Sequence, residues 1–328
     1  MQVLGSTSGL TKILIAMPME GLSVDDLHAR FPNVSFVQAD SQTVQHEIGD
    51  ATGIVCWSLS AENFGLGEQL NWVHVPAAGV EQILRLPGFT ERDLLLTNGS
   101  GSSAPNMAEH ALALMLAFGR RLPWLQRSQE ERNWKQWGAL DGVFELTDQT
   151  LVLVGLGAIG LEIAKRAQSF GMHVIGVRRS ESIELPANVD GTAILVDLDA
   201  VLARADHVVN SLPFTSSTED FFDAGRFAAM KQGAYFYNLG RGTTVNQQHL
   251  IAALESGHLS GAGLDVTDPE PLPEESPLWG MENVILTSHS SGHSPKMIER
   301  RYELLCENIR RYLANEPMIN VVDQAHGY

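Results

Sequence analysis

Residues 151–160 read LVLVGLGAIG. An apolar run meets Gly155-x-Gly157-x-x-Gly160 and continues into an amphipathic stretch over 161–170. Glycines are common in turns, so the spacing alone says little. Between a buried-type strand and a helix it marks a dinucleotide-binding turn. Gly155 permits the tight turn, Gly157 the approach of a pyrophosphate to the backbone, and Gly160 close packing of helix on sheet. The phosphates then meet the helix N-terminus, where unpaired N–H groups and the dipole favour anions. The next strand, 173–177, runs into Arg178-Arg179-Ser180. Folds of this kind that take NAD usually carry an acidic residue here for the ribose 2′-hydroxyl. Two guanidiniums and a hydroxyl suit a 2′-phosphate instead, so NADP(H) is the preferred cofactor and NAD(H) the second choice.

Working outward, apolar runs over 150–154, 173–177, 207–211, 234–238, 261–265 and 284–286 read as strands. Helix-like segments separate most of them, as a doubly wound parallel sheet requires. The first hundred residues repeat the pattern on a smaller scale, with strands at 13–17, 34–38, 53–57 and 72–75 and a helix at 24–30. Residues 97–105, TNGSGSSAP, break the composition and suggest a hinge. The fold class is α/β: two Rossmann-like domains with doubly wound parallel sheets, the cofactor domain inserted in a discontinuous substrate domain. The expected bounds are 1–103 plus 294–328 for the substrate (catalytic) domain and 104–293 for the NAD(P)-binding domain. A helix over 106–122 is apolar on every face at its centre, ALALMLAF, so burial on all sides and a homodimer are expected. A last helix over 296–315 carries Ile298, Tyr302, Leu305, Ile309 and Leu313 at helical spacing.

The 328 residues suit about two domains. A net charge of −17 argues against nucleic acid and against an anionic membrane surface as partners. Cys56 and Cys306 are too few for a disulfide framework or a cysteine-rich metal site, and no metal is expected. With no leader-like segment and no run long enough to span a bilayer, the expected compartment is the cytoplasm.

Six blocks in order, AAGVE at 77–81, AEHALALMLA at 108–117, GLGAIG at 155–160, NLGRG at 238–242, LDVTDPEP at 264–271 and TSHSSG at 287–292, resemble the D-isomer-specific 2-hydroxyacid dehydrogenase family. The resemblance runs from about residue 72 to 315 and is weakest before 70. It implies Arg241, Glu270 and His289 as the catalytic residues. The chemistry needs these types: a planar guanidinium can hold both the carboxylate and the carbonyl oxygen of a 2-keto acid. A protonated His289 supplies the proton as hydride reaches the carbonyl carbon, and acts as the base in the reverse direction. Glu270 bonds the other ring nitrogen, fixing the tautomer and stabilising the imidazolium.

The same resemblance implies Ala78 and Gly79 as backbone donors to the substrate carboxylate, alongside Arg241 and His289. It extends the cofactor set of Gly155, Gly157, Gly160, Arg178, Arg179 and Ser180 to Ala158, Ile159, Leu212, Pro213, Thr218, Leu239, Asp265 and Ser291. His74, His110 and His293 match no catalytic position; the first two read as structural. Thr267 replaces a frequent aromatic residue, and Met107 is placed to pack against the nicotinamide. Glu270 stands where formate dehydrogenases of the family typically carry Gln. Closure of two domains near 104 and 294 is expected to exclude water. The expected activity is NADPH-preferring reduction of a small 2-keto acid, such as glyoxylate or hydroxypyruvate, to the D-2-hydroxy acid. Larger acids such as phenylpyruvate are the runner-up, with specificity in 56–59, Trp134 and Trp137. A non-enzymatic dinucleotide-sensing protein like the corepressors of this fold is the rival from another class.

Overall fold

The computed structural model describes residues 11–18, 23–134, 142–179, 184–324 and 327. The first elements are β1 (Lys12–Ala16), α1 (Val24–Arg30), β2 (Ser35–Gln38), α2 (Val44–Glu47), β3 (Gly53–Cys56), α3 (Ala61–Leu66), β4 (Trp72–Val75), α4 (Glu81–Leu84) and β5 (Leu95–Asn98). There follow α5 (Ala104–Gly119), α6 (Leu122–Glu130), β6 (Thr150–Val154), α7 (Ala158–Ser169), β7 (His173–Arg178), β8 (Gly191–Ile194), α8 (Leu198–Leu202) and β9 (His207–Asn210). The last are α9 (Ala224–Ala229), β10 (Tyr235–Asn238), α10 (Gln247–Glu255), β11 (Gly261–Leu264), β12 (Val284–Leu286) and α11 (Pro295–Ala314). The chain divides into two compact units, Met1–Ser102 with Ser294–Tyr328, and Ser103–His293.

The first unit holds a parallel sheet in the order β2-β1-β3-β4-β5. β3 and β4 are buried at every position, which is why GIVC and WVHV carry no polar alternation. One face packs Ile54, Val73 and Val75 with Val44, Ile48, Phe64 and Phe89. The other packs Ile13, Ile15 and Trp72 with Leu305, Cys306 and Ile309 of α11. Tyr312 stacks on Trp72 with centroids 5.0 Å apart. Burying each large apolar side chain contributes about 1.5–3 kcal/mol. Ser23 opens α1 with a capping box to Asp26, and Ser60 and Ser294 cap α3 and α11. The chain leaves β1 for β2 on one side and returns to β3 on the other, so the switch point lies at the carboxyl ends of β1 and β3.

The second unit holds a parallel sheet in the order β12-β11-β10-β9-β6-β7-β8. Val152, Val208, Phe222, Phe227 and Phe236 fill one side, and Leu151, Leu153, Ile163, Val174 and Tyr237 fill the other with α5 and α7. Its switch point lies between β6 and β9. Two strands were not expected from the sequence, β5 and β8, and both are edge strands.

The expected helix over 106–122 is α5, which stops three residues short of the expected end, and a second helix, α6, follows it. α5 ends at Gly119, where an added Cβ would stand 3.1 Å from the Phe144 ring. Arg121 then takes a left-handed φ of 53°, and Pro123 lies in the first turn of α6. Nor is α5 buried all round within the chain. Ala108, Ala111, Leu112, Leu114 and Met115 are buried, whereas Ala113 is exposed and Leu116 and Ala117 are half-buried. Among the described residues no helix is long and apolar enough to cross a membrane.

Candidate active site

The turn after β6 sits at the switch point of the second sheet, and its three glycines have three different surroundings. Gly155 has φ +102°, a conformation L side chains rarely adopt, and an added Cβ would meet Ser211 Oγ at 2.8 Å. At Gly160 a Cβ would stand 2.4 Å from the Gly155 carbonyl oxygen, so helix and turn touch. Nothing lies within 4 Å of a Cβ at Gly157, which opens α7 with no side-chain cap. A turn closed on two sides and open on the third, with uncapped helix N–H groups behind it, fits a pyrophosphate. Ala158 and Ile159 form the first turn of that helix.

The loop after β9 faces this turn. Ser211 Oγ donates to the Gly155 carbonyl (2.9 Å), and the Leu212 amide donates to Asn210 Oδ1 (3.2 Å). Thr218 Oγ1 donates to the Pro213 carbonyl (2.7 Å) and accepts from the Thr215 amide (2.7 Å), which pins 213–218. Arg178 ends β7, half-buried and in register with Ile194, and Arg179 is exposed. Ser180 and Trp137 lie outside the described residues. Met107 is half-buried against the core of α5 and α7.

Arg241, Glu270 and His289 follow the carboxyl ends of the neighbouring strands β10, β11 and β12. The 238–242 turn is a satisfied polar network. Asn210 Nδ2 donates to Asn238 Oδ1 (2.9 Å) and to Thr244 Oγ1 (2.7 Å), while Asn238 Nδ2 and Thr244 Oγ1 both donate to the Arg241 carbonyl (3.1 and 2.6 Å). Leu239 is buried beneath, and the half-buried Arg241 turns Nη1 onto the Gly240 carbonyl at 2.9 Å. At Gly242 a Cβ would stand 1.8 Å from the Thr267 carbonyl oxygen, so the arginine turn lies directly on the next loop. In that loop Glu270 Oε1 accepts from the Thr267 amide (3.1 Å), and Glu270 Oε2 lies 2.9 Å from His289 Nδ1. An ionised carboxylate only accepts, so Nδ1 carries the hydrogen and Nε2 is the ring atom left for chemistry.

His289 is held unusually. Its φ is +50°, in the left-handed region. Asp265, 1% exposed, anchors the turn around it: Oδ1 accepts from Thr287 Oγ1 (2.6 Å) and the Ser290 amide (3.0 Å), and Oδ2 from the Ser291 amide (3.1 Å). The His289 amide itself donates to the Asp265 carbonyl at 2.8 Å. Burial pushes the Asp265 carboxyl up, but bonds from Ser291, Thr287 and Ser290 outweigh it and hold the group below its ordinary value. His110, read from sequence as structural, in fact reaches this assembly, with Nε2 3.1 Å from Thr287 Oγ1.

In the first unit, Asn98 Nδ2 donates to the Ala78 carbonyl (2.9 Å) and the Gly99 amide to the Ala77 carbonyl (2.8 Å). A Cβ at Gly99 would stand 2.0 Å from the Pro76 carbonyl oxygen. Asn98 and Gly99 thus shape the loop that presents exposed Ala78 and half-buried Gly79. Sequence reading placed both only in a hinge. Asn210, Thr244 and Thr287 were also missed as site residues, because a single polar residue at a strand end or in the turn beyond it has no pattern of its own. Among the described residues no group of three His, Cys, Asp or Glu side chains is gathered to hold a metal.

A dinucleotide turn at one switch point, with an arginine and a carboxylate-bound histidine at the neighbouring strand ends, defines an NAD(P)-dependent oxidoreductase. Residues 112–291 match the family model of the D-isomer specific 2-hydroxyacid dehydrogenase NAD binding domain. A glyoxylate reductase of Korarchaeum cryptofilum is 32% identical over 271 residues, 81% of this chain and 80% of that one. A D-isomer specific 2-hydroxyacid dehydrogenase family protein from Aeromonas salmonicida superposes with a TM-score of 0.84 at 32% identity, covering 96% of this chain and 100% of the other. An NADPH-dependent glyoxylate/hydroxypyruvate reductase from Sinorhizobium meliloti, solved with NADP and sulfate, does so with a TM-score of 0.82 at 27% identity, covering 97% and 100%. The chain belongs to the D-isomer-specific 2-hydroxyacid dehydrogenase family, as an NAD(P)-dependent 2-hydroxyacid dehydrogenase.

Proposed function

We propose that the chain reduces a small 2-keto acid of the glyoxylate or hydroxypyruvate class to the D-2-hydroxy acid, preferring NADPH. The observation that carries the reading is the 2.9 Å His289–Glu270 contact on a turn clamped by Asp265, beside the Arg241 turn. The bound dinucleotide supplies the hydride that reaches the carbonyl carbon. Arg241 holds the carboxylate and orients the carbonyl oxygen. His289 Nε2 delivers the proton to the oxygen as negative charge gathers there, and removes it in the reverse direction. Glu270 keeps the ring in the tautomer that makes this possible. Glyoxylate reduction by the Korarchaeum relative and NADPH dependence of the Sinorhizobium one point the same way. Gly155, Gly157, Ala158, Ile159 and Gly160 take the pyrophosphate; Arg178 and Arg179 take the 2′-phosphate.

A second copy of the chain is the proposed partner, through the open side of α5 at Ala113, Leu116 and Ala117. Cys56 and Cys306 are both buried free thiols, which accords with a reducing cytoplasm.

The test is steady-state oxidation of NADPH and of NADH against glyoxylate, hydroxypyruvate, pyruvate and phenylpyruvate. The expected result is turnover with NADPH well above NADH and best with the two small polar acids. Phenylpyruvate as best substrate would move the specificity to larger acids. Tight dinucleotide binding without turnover would sink the enzymatic reading.

A further inference from the structure

The face of α5 turned toward the catalytic turn carries two polar residues four apart, Asn106 and His110, which a helix places one above the other. They grip opposite ends of that turn. Asn106 Nδ2 donates to the Ser291 carbonyl at 2.7 Å, and His110 Nε2 lies 3.1 Å from Thr287 Oγ1. Between those ends sits His289 with its left-handed backbone. A non-glycine residue persists there only where its surroundings over-determine it.

Proton bookkeeping fixes what His110 does. Asp265 is held ionised and can only accept. The single Thr287 hydroxyl proton therefore goes to Asp265 Oδ1, along the 2.6 Å contact. Thr287 Oγ1 is left as an acceptor toward the imidazole, so His110 Nε2 must carry a hydrogen. His110 Nε2 is 4.0 Å from Asp265 Oδ1, too far to bond the carboxylate directly. Thr287 is the link.

We propose that α5 is a clamp on the catalytic turn, and that His110 is a positioning residue whose Nε2–H orients the Thr287 hydroxyl onto Asp265 and thereby fixes His289. The inference rests on the proposed reductase reading for its kinetic readout, but the clamp itself is a property of the turn. Without the donor, Thr287 Oγ1 is free to rotate from Asp265. The turn relaxes from the left-handed conformation, and Nε2 of His289 leaves its place. Displacement of a reacting group by about 1 Å lowers a rate by roughly a hundredfold.

The experiment compares His110→Ala, His110→Gln, Thr287→Val and the double variant His110→Ala/Thr287→Val. In His110→Ala, kcat with glyoxylate and NADPH should fall by roughly ten- to a hundredfold, while the KM for NADPH changes little. Gln keeps an N–H at similar reach and should recover most of the loss, which a residue that merely fills space would not require. Thr287→Val should reproduce the loss, and the double variant should be no slower than Thr287→Val alone. An unchanged kcat in His110→Ala, a Gln variant no better than Ala, or losses that multiply would overturn the proposal. Hydrogen exchange of the Ser290 and Ser291 amides separates this from failure of the reductase reading. Those amides should exchange faster in His110→Ala and at the native rate in His110→Gln, whatever the substrate; equal rates in all three proteins would refute the clamp.

Discussion

At the residue scale, two glycines of one turn should fail in different ways. A methyl at Gly160 meets the Gly155 carbonyl oxygen at 2.4 Å, a backbone atom that cannot step aside. Gly160→Ala should therefore lose roughly 1–3 kcal/mol of stability, read as a fall in melting temperature without cofactor. A methyl at Gly157 meets nothing within 4 Å, so Gly157→Ala should melt like wild type. Its damage should appear only with dinucleotide, as an affinity at least roughly tenfold weaker in a fluorescence titration, because the methyl fills space the pyrophosphate needs. Equal binding by both proteins would show that the phosphates do not approach there. At Arg178 the 2′-phosphate argument is tested by Arg178→Asp. Losing a charge-assisted bond of about 1.5–3 kcal/mol and gaining repulsion should weaken NADPH by tenfold or more while NADH changes little. Equal effects on both cofactors would sink the argument.

At the scale of elements, all the central strands were legible and two of the four edge strands, β5 and β8, were not, for one physical reason. β3, β4, β6 and β9 are buried on both faces, so their sequences are near-continuous apolar runs that stand out. β8, GTAI, lies at a sheet edge with no fully buried position, and β5, LLTN, ends in the polar Thr97, which accepts from Trp72 Nε1, and Asn98, which holds the Ala78 loop. Neither composition announces a strand. The candidate site was legible where a motif has fixed spacing, as at 155–160, and for Arg241, Glu270 and His289 through resemblance. Asn210, Thr244 and Thr287, which hold the turns around Arg241 and His289, and Asn98, which holds the Ala78 loop, are single polar residues with bonds to partners far along the chain, and only Thr287 stands inside one of the six blocks. α5 is instructive. Its apolar sequence demanded cover on every side, yet one side is open at Ala113, Leu116 and Ala117. That face is the one a second copy should cover. Ala113→Glu and Leu116→Glu should each convert a dimer to a monomer in sedimentation while leaving the circular dichroism spectrum unchanged; a dimer that persists in both would place the contact elsewhere.

At the scale of the whole molecule, each unit encloses a histidine that burial keeps neutral. His74, in β4 of the first unit, is fully buried and pushed down to about 3 by burial, with the Arg301 charge adding to it. His207, in β9 of the second, is pushed down to about 4 by burial, against a smaller opposing effect of Asp206. Its ring lies between Tyr237 Oη at 3.0 Å and Gln149 Oε1 at 2.5 Å, and neither of these hydrogen-bond partners is a carboxylate. A histidine lowered in the folded state takes up its proton first in the unfolded one. Each therefore contributes full stability above the unfolded value near 6.5, and loses it as pH falls toward the folded value. Between pH 6.5 and 4 the loss at His74 amounts to at most roughly 3 kcal/mol, at about 1.4 kcal/mol per unit. Buried carboxylates act in another window: Asp265, lowered in the folded state, gives up its contribution only below about 3.9. Overall charge works against the histidines, because acidification relieves the self-repulsion of a chain at −17. The raw pH profile is therefore ambiguous, and the informative quantity is a difference between proteins of nearly equal charge. Urea denaturation at pH 7 and pH 4.5 should show His74→Leu losing less stability on acidification than wild type, by about 2 kcal/mol, even if it is the less stable protein at pH 7. His207→Leu should flatten the profile in the same direction. An acid-induced loss identical in all three proteins would mean that neither imidazole resists protonation, and that acid unfolding of this chain begins at its carboxylates.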